Sequence, residues 1–404
     1  MNYDVIIIGG GPAGLMCQYQ LSNSNLKILL IDKNKSLGKK LLLTGNGRCN
    51  VTNNLTPQAF MEVIRGQQKK FFYKALHAFP PSEVVRFFES RGVPLQLENH
   101  YQYFPKSNKA NDILQVLTQT IDEITVHLEE HVDDIKQIEN GYQVSTNKGI
   151  YKAKNIVVST GSKSFPKTGS TGDGVFFAEK LHIKTTPFYP AETKIYSKEI
   201  EQLELQGLQV KDATVKLLQT KIQQKGDLLF THNGLSGPVI YHLSEDVYHH
   251  IKQHKKAVLS IDLLNISYQT FYEMFMEYQA KTMESVFAKH TSKRLASIIF
   301  SKYELPKKHI KDLKEETFLR VYDLLSNLHV QIEKVEDEAL AYVNGGGVLT
   351  KALNPNSMEA KNYKGLYFIG ETIDIHGPIG GFNITIAFAT AYLCASYLKG
   401  ENHA

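Results

Sequence analysis

Six residues near the N-terminus, Gly9-Gly10-Gly11-Pro12-Ala13-Gly14, have the composition of a phosphate cradle. Their spacing is G-x-G-x-x-G, and Asp32 follows 18 residues after the last glycine. Gly9 permits a tight turn, Gly11 lets a diphosphate approach the backbone, and Gly14 lets a helix lie close on a strand. A helix opening at Pro12 and Ala13 offers free N–H groups and the positive end of its dipole to anionic oxygens. Asp32 is placed to accept hydrogen bonds from ribose hydroxyls. The chemistry these residues point to is dinucleotide binding.

A second glycine-rich segment lies at the other end of the chain, GLYFIGETIDIHGPIGGFNITIAFATA over 365–391. An apolar strand runs into Gly370-Glu371, Asp374 follows, and Gly380-Gly381 opens an apolar helix through Phe382 and Asn383. Thr160-Gly161, after the apolar run 156–159, offers another close backbone approach. In a flavin enzyme of this design an acidic residue here meets the ribityl chain. The following helix aims its positive end at the flavin pyrimidine, where it stabilises the reduced anion. An enzyme using NAD alone has no need of that distant element, so the expected cofactor is FAD. Lys33, Lys40 and Val132 complete the set of candidate cofactor contacts.

Between these segments stands Thr44-Gly45-Asn46-Gly47-Arg48-Cys49-Asn50. Its glycines allow close approach to a ligand. Arg48 is a candidate for diphosphate or a flavin carbonyl, and Asn50 for the ring edge. Cys49 invites a redox role, but no second cysteine lies near it, and we read it as a packed thiol. His232 is a candidate proton donor for an ene reduction, in which hydride goes to one carbon and a proton to the other. A turn histidine bonded to backbone is the equal alternative. His376 is a second catalytic candidate, for tuning the flavin ahead of proton transfer. Lys106, Lys109, Arg65, Lys69, Lys70, Lys293 and Arg294 could meet anions, and Tyr101, Tyr103 and Phe104 a planar substrate. Solvated surface and core packing are their plainer readings. No metal-ligand pattern is present.

These residues need elements to hold them. Residues 4–8 form a continuous apolar strand, 12–22 a helix, and 26–31 a second strand ending at Asp32, which is one βαβ unit. Residues 57–128 are mixed and mostly helical, and 142–146 and 150–159 read as strands. Residues 213–231 alternate as hairpins around a Lys-Gly-Asp turn. Residues 268–330 read as helices and 365–370 as a buried strand. The fold class is therefore α/β, a Rossmann-like FAD-binding domain with inserts. Its expected parts are 1–190 with 341–404 for the cofactor, 191–267 with 311–340 as a β-rich insert, and 268–310 as a small helical insert. No second strand-linked G-x-G-x-x-G appears, since Gly169-Ser170-Thr171-Gly172-Asp173-Gly174 has the wrong spacing. NADPH or NADH would then be a transient donor that docks against the ring.

The composition is that of an ordinary globular protein, with 42% hydrophobic and 22% charged residues over 404. A net charge of +5 permits an anionic or RNA substrate without demanding one. Three cysteines, Cys17, Cys49 and Cys394, do not make a disulfide framework. The apolar N-terminal run is too short for a membrane span and lacks the flanks of a signal peptide. The stretch 384–398 reads as a buried helix. A cytoplasmic protein without a membrane segment is expected. Oligomeric state is not legible.

The run LGKKLLLTGNGRCNVTN (37–53) resembles the signature of the bacterial flavoprotein family called BaiN-like, RdsA-like or aminoacetone-oxidase-like. YFPKSNKA (103–110), GSTGDG (169–174), GDLLFTHNGLSGP (226–238), SKRLA (292–296), NGGGV (344–348) and NPNSMEAK (354–361) resemble further family blocks in the same order. Three departures stand out. Ser159 replaces a common alanine, Asp32 a frequent glutamate, and His376 a common acidic residue. The resemblance implies tightly bound FAD on a three-part fold. It implies several activities: NAD(P)H-fed reduction of a C=C bond, in steroid-like enones or in uridine of 23S ribosomal RNA, and oxidation of a small amine or aminoketone by oxygen. A third possibility, from another class, is an RNA-binding assembly protein with structural FAD.

Overall fold

In the computed structural model, which describes residues 3–66, 69–99 and 101–400, the chain divides into two compact units. One joins Met1–Tyr189 to Tyr342–Ala404, and the other is Pro190–Ala341.

The first unit is built on a sheet whose central strands are continuous apolar runs. Strand β1 (Tyr3–Ile8) lies parallel to β2 (Ile28–Ile31) and, on its other side, to the long β6 (Ile150–Val158). Helix α1 (Pro12–Ser22) makes the crossover between β1 and β2. Beyond β2 the short β3 (Thr125–His127) is also parallel. Strands β4 (Val132–Ile138) and β5 (Gly141–Thr146) form an antiparallel hairpin on the first half of β6. The second half of β6 takes Leu366–Phe368 as a parallel neighbour, which carries the C-terminal segment back into the sheet. The centre of this sheet has no wet side, so Val5, Ile6 and Ile7 are fully buried and do not alternate with polar residues. The C-terminal helix Phe382–Leu398 packs on α1 and is apolar around most of its circumference. Among the described residues no helix is long and apolar enough to cross a membrane.

The second unit has its own core and an antiparallel sheet. Its strand order is Leu328–Ile332, Ala257–Asp262, Gln209–Leu217, Gln223–Thr231, Gly234–Ser236, Ile195–Tyr196 and Lys334–Val335. Helix Pro238–His254 covers one face. Four helices follow, Tyr268–Met276, Met283–His290, Lys293–Lys302 and Glu315–Ser326. Helix therefore runs to Ser326, as expected for 268–330, and within 311–340 the strands begin only at Leu328. The hairpin turn also differs from expectation. It lies at residues 218–222, and Lys225-Gly226-Asp227 sits inside a strand, with Gly226 opposite Ala213. Thr220 makes the real turn, its hydroxyl donating to the Leu217 carbonyl and accepting from the Ile222 N–H. Gly226 is in the strand beneath the helix, where an added Cβ would touch Val239.

Candidate functional site

A cleft open to solvent runs across the carboxyl ends of the parallel strands in the first unit. That is where ligands bind in open α/β sheets. β1 delivers Gly9 and β2 delivers Asp32, fixed by the Gly9 N–H donating to the Ile31 carbonyl (2.9 Å).

The three motif glycines have separate physical reasons. Gly9 has φ +106°, open to glycine and strained for other residues. A Cβ on Gly14 would lie 1.9 Å from the Gly9 carbonyl oxygen, so α1 can rest on the turn only if this residue is glycine. A Cβ on Gly11 would meet no protein atom within 4 Å. Gly11 faces the open cleft, and its lack of a side chain serves nothing within the protein. It is also the N-cap of α1, makes no side-chain cap, and is followed by Pro12 in the first turn. The helix thus presents uncapped N–H groups to the cleft, which suits a phosphate. These features fit the diphosphate of FAD.

Asp32, 8% exposed, accepts from the Gly10 N–H at Oδ2 and the Asn34 N–H at Oδ1, both at 2.7 Å. It therefore braces the turn as well as facing the cleft. Ser159, at the position where alanine is common, donates to the carbonyls of Ile8 (2.9 Å) and Gly9 (2.8 Å) and ties β6 to the cradle. Lys40 pairs with Glu371 (2.6 Å), donates to the Ser164 hydroxyl, and lies 3.4 Å from the Ser162 hydroxyl. Lys33 pairs with Asp173 (2.6 Å) and donates to the Thr171 hydroxyl. Asn34 donates to the Thr168 carbonyl (3.0 Å). Lys33 and Asn34 thereby hold the segment 168–173 along one wall.

Of the residues singled out in the sequence, Gly9, Gly11, Pro12, Ala13, Asp32, Lys33, Lys40, Thr44, Val132, Thr160, Gly161, Glu371 and Asn383 line the cleft. Gly14 lies behind it, and Gly370 sits against Ala13. Sequence reasoning missed Glu130, His131, Thr168, Gly169, Ser170 and Asp173, which line it too. The signal was the 169–174 glycine run, whose spacing rules out a second dinucleotide motif but not a wall of the first.

The loop 44–50 stands differently. Gly45, Asn46 and Gly47 are exposed. Arg48 pairs with Glu98, donates to the Asn108 side chain (2.7 Å) and stacks on Phe104, 4.3 Å from its centroid. That guanidinium holds the Glu98 carboxyl below the usual range. Cys49 is fully buried, and burial pushes its thiol up to about 12. Cys17 and Cys394 are buried as well. Asn50 donates to the carbonyls of Thr52 and Tyr103 (both 3.0 Å), while its buried Oδ1 has no hydrogen-bond partner.

Gly381 (φ +80°) caps the C-terminal helix so close to Thr52 that a Cβ would be 2.5 Å from its backbone. Asn53 donates to the Gly380 carbonyl (3.2 Å), and Phe382 is buried against Phe60. Asn383 is held by Gly377, accepting from its N–H (2.9 Å) and donating to its carbonyl (2.7 Å). Asp374 accepts from the Thr186 hydroxyl (2.8 Å) and the Gly346 N–H (3.2 Å), which ties down neighbouring backbone. His376 is buried, pairs with Arg65 through the backbone, and stands edge-on to Tyr189. His232 lies in the second unit, exposed in the turn between Gln223–Thr231 and Gly234–Ser236.

A family model described as HI0933-like protein Rossmann domain matches residues 3–397. A ribosomal RNA dihydrouridine synthase of Escherichia coli (strain K12) is 29% identical over 98% of both chains. A 3-dehydro-bile acid delta(4,6)-reductase of Clostridium scindens is 25% identical over 96% of this chain and 97% of its own. Among solved structures, a 3-ketosteroid-delta4-(5alpha)-dehydrogenase from Rhodococcus jostii RHA1 superposes with a TM-score of 0.54 at 12% identity, covering 98% of this chain and 96% of that one. At that identity the likeness is one of fold.

Proposed function

The chain belongs to the HI0933-like family and is an FAD-dependent oxidoreductase; from that premise we propose that it saturates a conjugated carbon–carbon double bond with electrons from NADPH or NADH. We infer further that uridine in ribosomal RNA is the substrate. The observation that carries this reading is near full-length similarity to two relatives named for one kind of bond change. One makes dihydrouridine and the other is a delta(4,6)-reductase, and both names denote hydrogen added across C=C. A second ribosomal RNA dihydrouridine synthase, from Haemophilus influenzae, at 27% identity over 96% of this chain, favours the RNA substrate.

The chain's own residues divide the work along the cleft. The uncapped N–H groups of α1, with Gly11 bare beside them, hold the diphosphate. Asp32 receives the adenosine ribose. The Lys40–Glu371 ion pair (2.6 Å) would stand on the ribityl side, with Glu371 placed to accept from its hydroxyls. The helix beginning at Phe382 would offer its positive end to the flavin pyrimidine. Bound FAD supplies hydride transfer between the nicotinamide and the acceptor.

The test has two arms. Anaerobic titration of the holoenzyme with NADPH and then NADH should bleach the flavin absorption. RNA from a deletion strain should lack a dihydrouridine that the wild-type gene restores. A flavin that stays oxidised with both donors would overturn the electron source, and unchanged RNA would overturn the substrate.

A further inference from the structure

The positive charge of this chain is concentrated in one short stretch. Between Lys281 and Lys314 stand nine Lys or Arg against three acidic residues, Glu284, Glu304 and Asp312. That segment carries a net +6, whereas the whole chain carries +5. Everything outside it is close to neutral.

The fold gathers several of these charges. Helices Met283–His290 and Lys293–Lys302 pack through Val286, Phe287, Leu295 and Phe300, all fully buried. The chain then returns, and His309 bridges Thr282 in antiparallel fashion. The Ile310 N–H donates to the Lys281 carbonyl (2.9 Å) and the Lys311 N–H to the Gln279 carbonyl (3.1 Å). Lys308 and Lys311 are thereby set beside Lys281. Tyr278 stands beside two of the lysines, with Lys289 Nζ 3.7 Å and Lys281 Nζ 5.6 Å from its ring centroid. Lys281, Lys289, Lys308 and Lys311 are exposed, and none forms an ion pair with a carboxylate among the described residues. Arg294 is different, because its guanidinium is spent on the carbonyls of Glu204 and Gln206.

Like charges held side by side repel, and an ordinary surface relieves that by mixing in acids. Here nine cations stand against three acids, and none of the four lysines pairs with one among the described residues. We propose that this face, centred on Lys281, Lys289, Lys308, Lys311 and the Tyr278 ring, is a docking surface for the phosphate backbone of RNA. Cations spaced around an aromatic ring suit a strand whose phosphates pair and whose bases stack. A lipid surface would ask for apolar side chains as well, and no large hydrophobic residue between 278 and 314 is exposed among the described residues. The charge concentration stands by itself, whereas the choice of RNA rests on the ribosomal RNA reading above.

The experiment uses the full-length holoenzyme and a fluorescein-labelled single-stranded RNA of about 16 nucleotides, comparable to the larger single-strand binding sites. Fluorescence anisotropy is followed from low to high salt. Each phosphate contact adds about 0.7 to the slope of log K against log salt for a single strand. The variant K281Q/K289Q/K308Q/K311Q should therefore flatten that slope by up to about 2.8. Its flavin absorption and thermal unfolding should match wild type. Removing the same charge elsewhere, with K35Q/K152Q/K216Q/K351Q, should leave the slope nearly unchanged. Equal weakening by both variants, an unchanged slope in the first, or binding to phosphatidylserine vesicles but not to RNA would each overturn the surface. The deletion-strain RNA reports separately on the substrate. If the patch variant binds RNA as wild type does and also restores dihydrouridine, the surface falls while the function stands. If the deletion leaves RNA unchanged, the substrate reading falls, and the slope still decides the surface.

Discussion

Gly11 and Gly14 lie three residues apart in one motif, and alanine should have different consequences for stability at the two positions. Gly11 has φ −81° and ψ −174°, extended backbone that alanine adopts without strain. Its added methyl meets no protein atom within 4 Å. Alanine is a poorer N-cap than glycine by about 0.5–1 kcal/mol, and it lowers the entropy of the unfolded chain by a similar amount. The apoprotein's stability should thus stay within about 1 kcal/mol of wild type. The methyl would instead occupy the space where the diphosphate approaches the N–H groups of α1. Losing one hydrogen bond to a charged group costs about 1.5–3 kcal/mol, so FAD should bind about 10- to 150-fold more weakly. At Gly14 the methyl would be 1.9 Å from the Gly9 oxygen and 2.7 Å from Ser159 Oγ. Helix α1 must move, and overpacking of that kind costs about 1–3 kcal/mol. The assay is urea unfolding of each apoprotein beside an FAD titration followed by flavin fluorescence. Gly11→Ala should lose cofactor and keep stability, and Gly14→Ala should lose both. A Gly11→Ala protein that binds FAD as tightly as wild type would refute the assignment of this cradle to the diphosphate.

Asp32→Ala leaves the buried N–H of Gly10 and the part-buried N–H of Asn34 without their acceptor. It should lower apoprotein stability by about 1–3 kcal/mol in urea as well as weaken FAD, and an unchanged urea midpoint would count against its bracing role. Cys49, buried and with its thiol pushed up to about 12, should resist iodoacetamide in the native protein at pH 8. Cys49→Ala should keep turnover within about twofold, and rapid labelling or a large loss would restore a redox role. In the second unit burial works to raise the Glu336 carboxyl. The Tyr196 hydroxyl, the Lys194 ammonium and the Asp337 N–H outweigh it, and the net shift is downward. A depressed folded value stabilises above the ordinary glutamate pKa of about 4.3, and that stability is lost as pH falls through the folded value. Glu336→Gln should flatten the acid limb of a stability–pH profile below about pH 4.3, and an unaltered limb would show that the cluster contributes nothing.

Much of the cofactor site was readable because its grammar is local. A strand, three glycines, a helix and an acid at the next strand end form one continuous unit, and each residue's reason lies within about thirty positions of the others. The same holds for Ile150–Val158 leading into Thr160-Gly161. Local patterns were less dependable where a residue type has two uses. Lys225-Gly226-Asp227 has turn composition, yet it lies in a strand because the Val210–Ala213 bulge and the helix above it set the register. Arg48 has the chemistry of a phosphate ligand, and Glu98, Asn108 and Phe104 hold it.

By itself the sequence determined that a strand–glycine–helix turn exists, which glycines build it, and that the C-terminal glycine segment returns beside it. Only the tertiary structure decided how the charges around that cradle are matched. Lys40 meets Glu371 across 331 positions, and Lys33 meets Asp173 across 140. The physical reason is one of range. Backbone geometry at a glycine is dictated by its immediate neighbours, whereas the partner of a long charged side chain depends on strand order and on the path of distant loops.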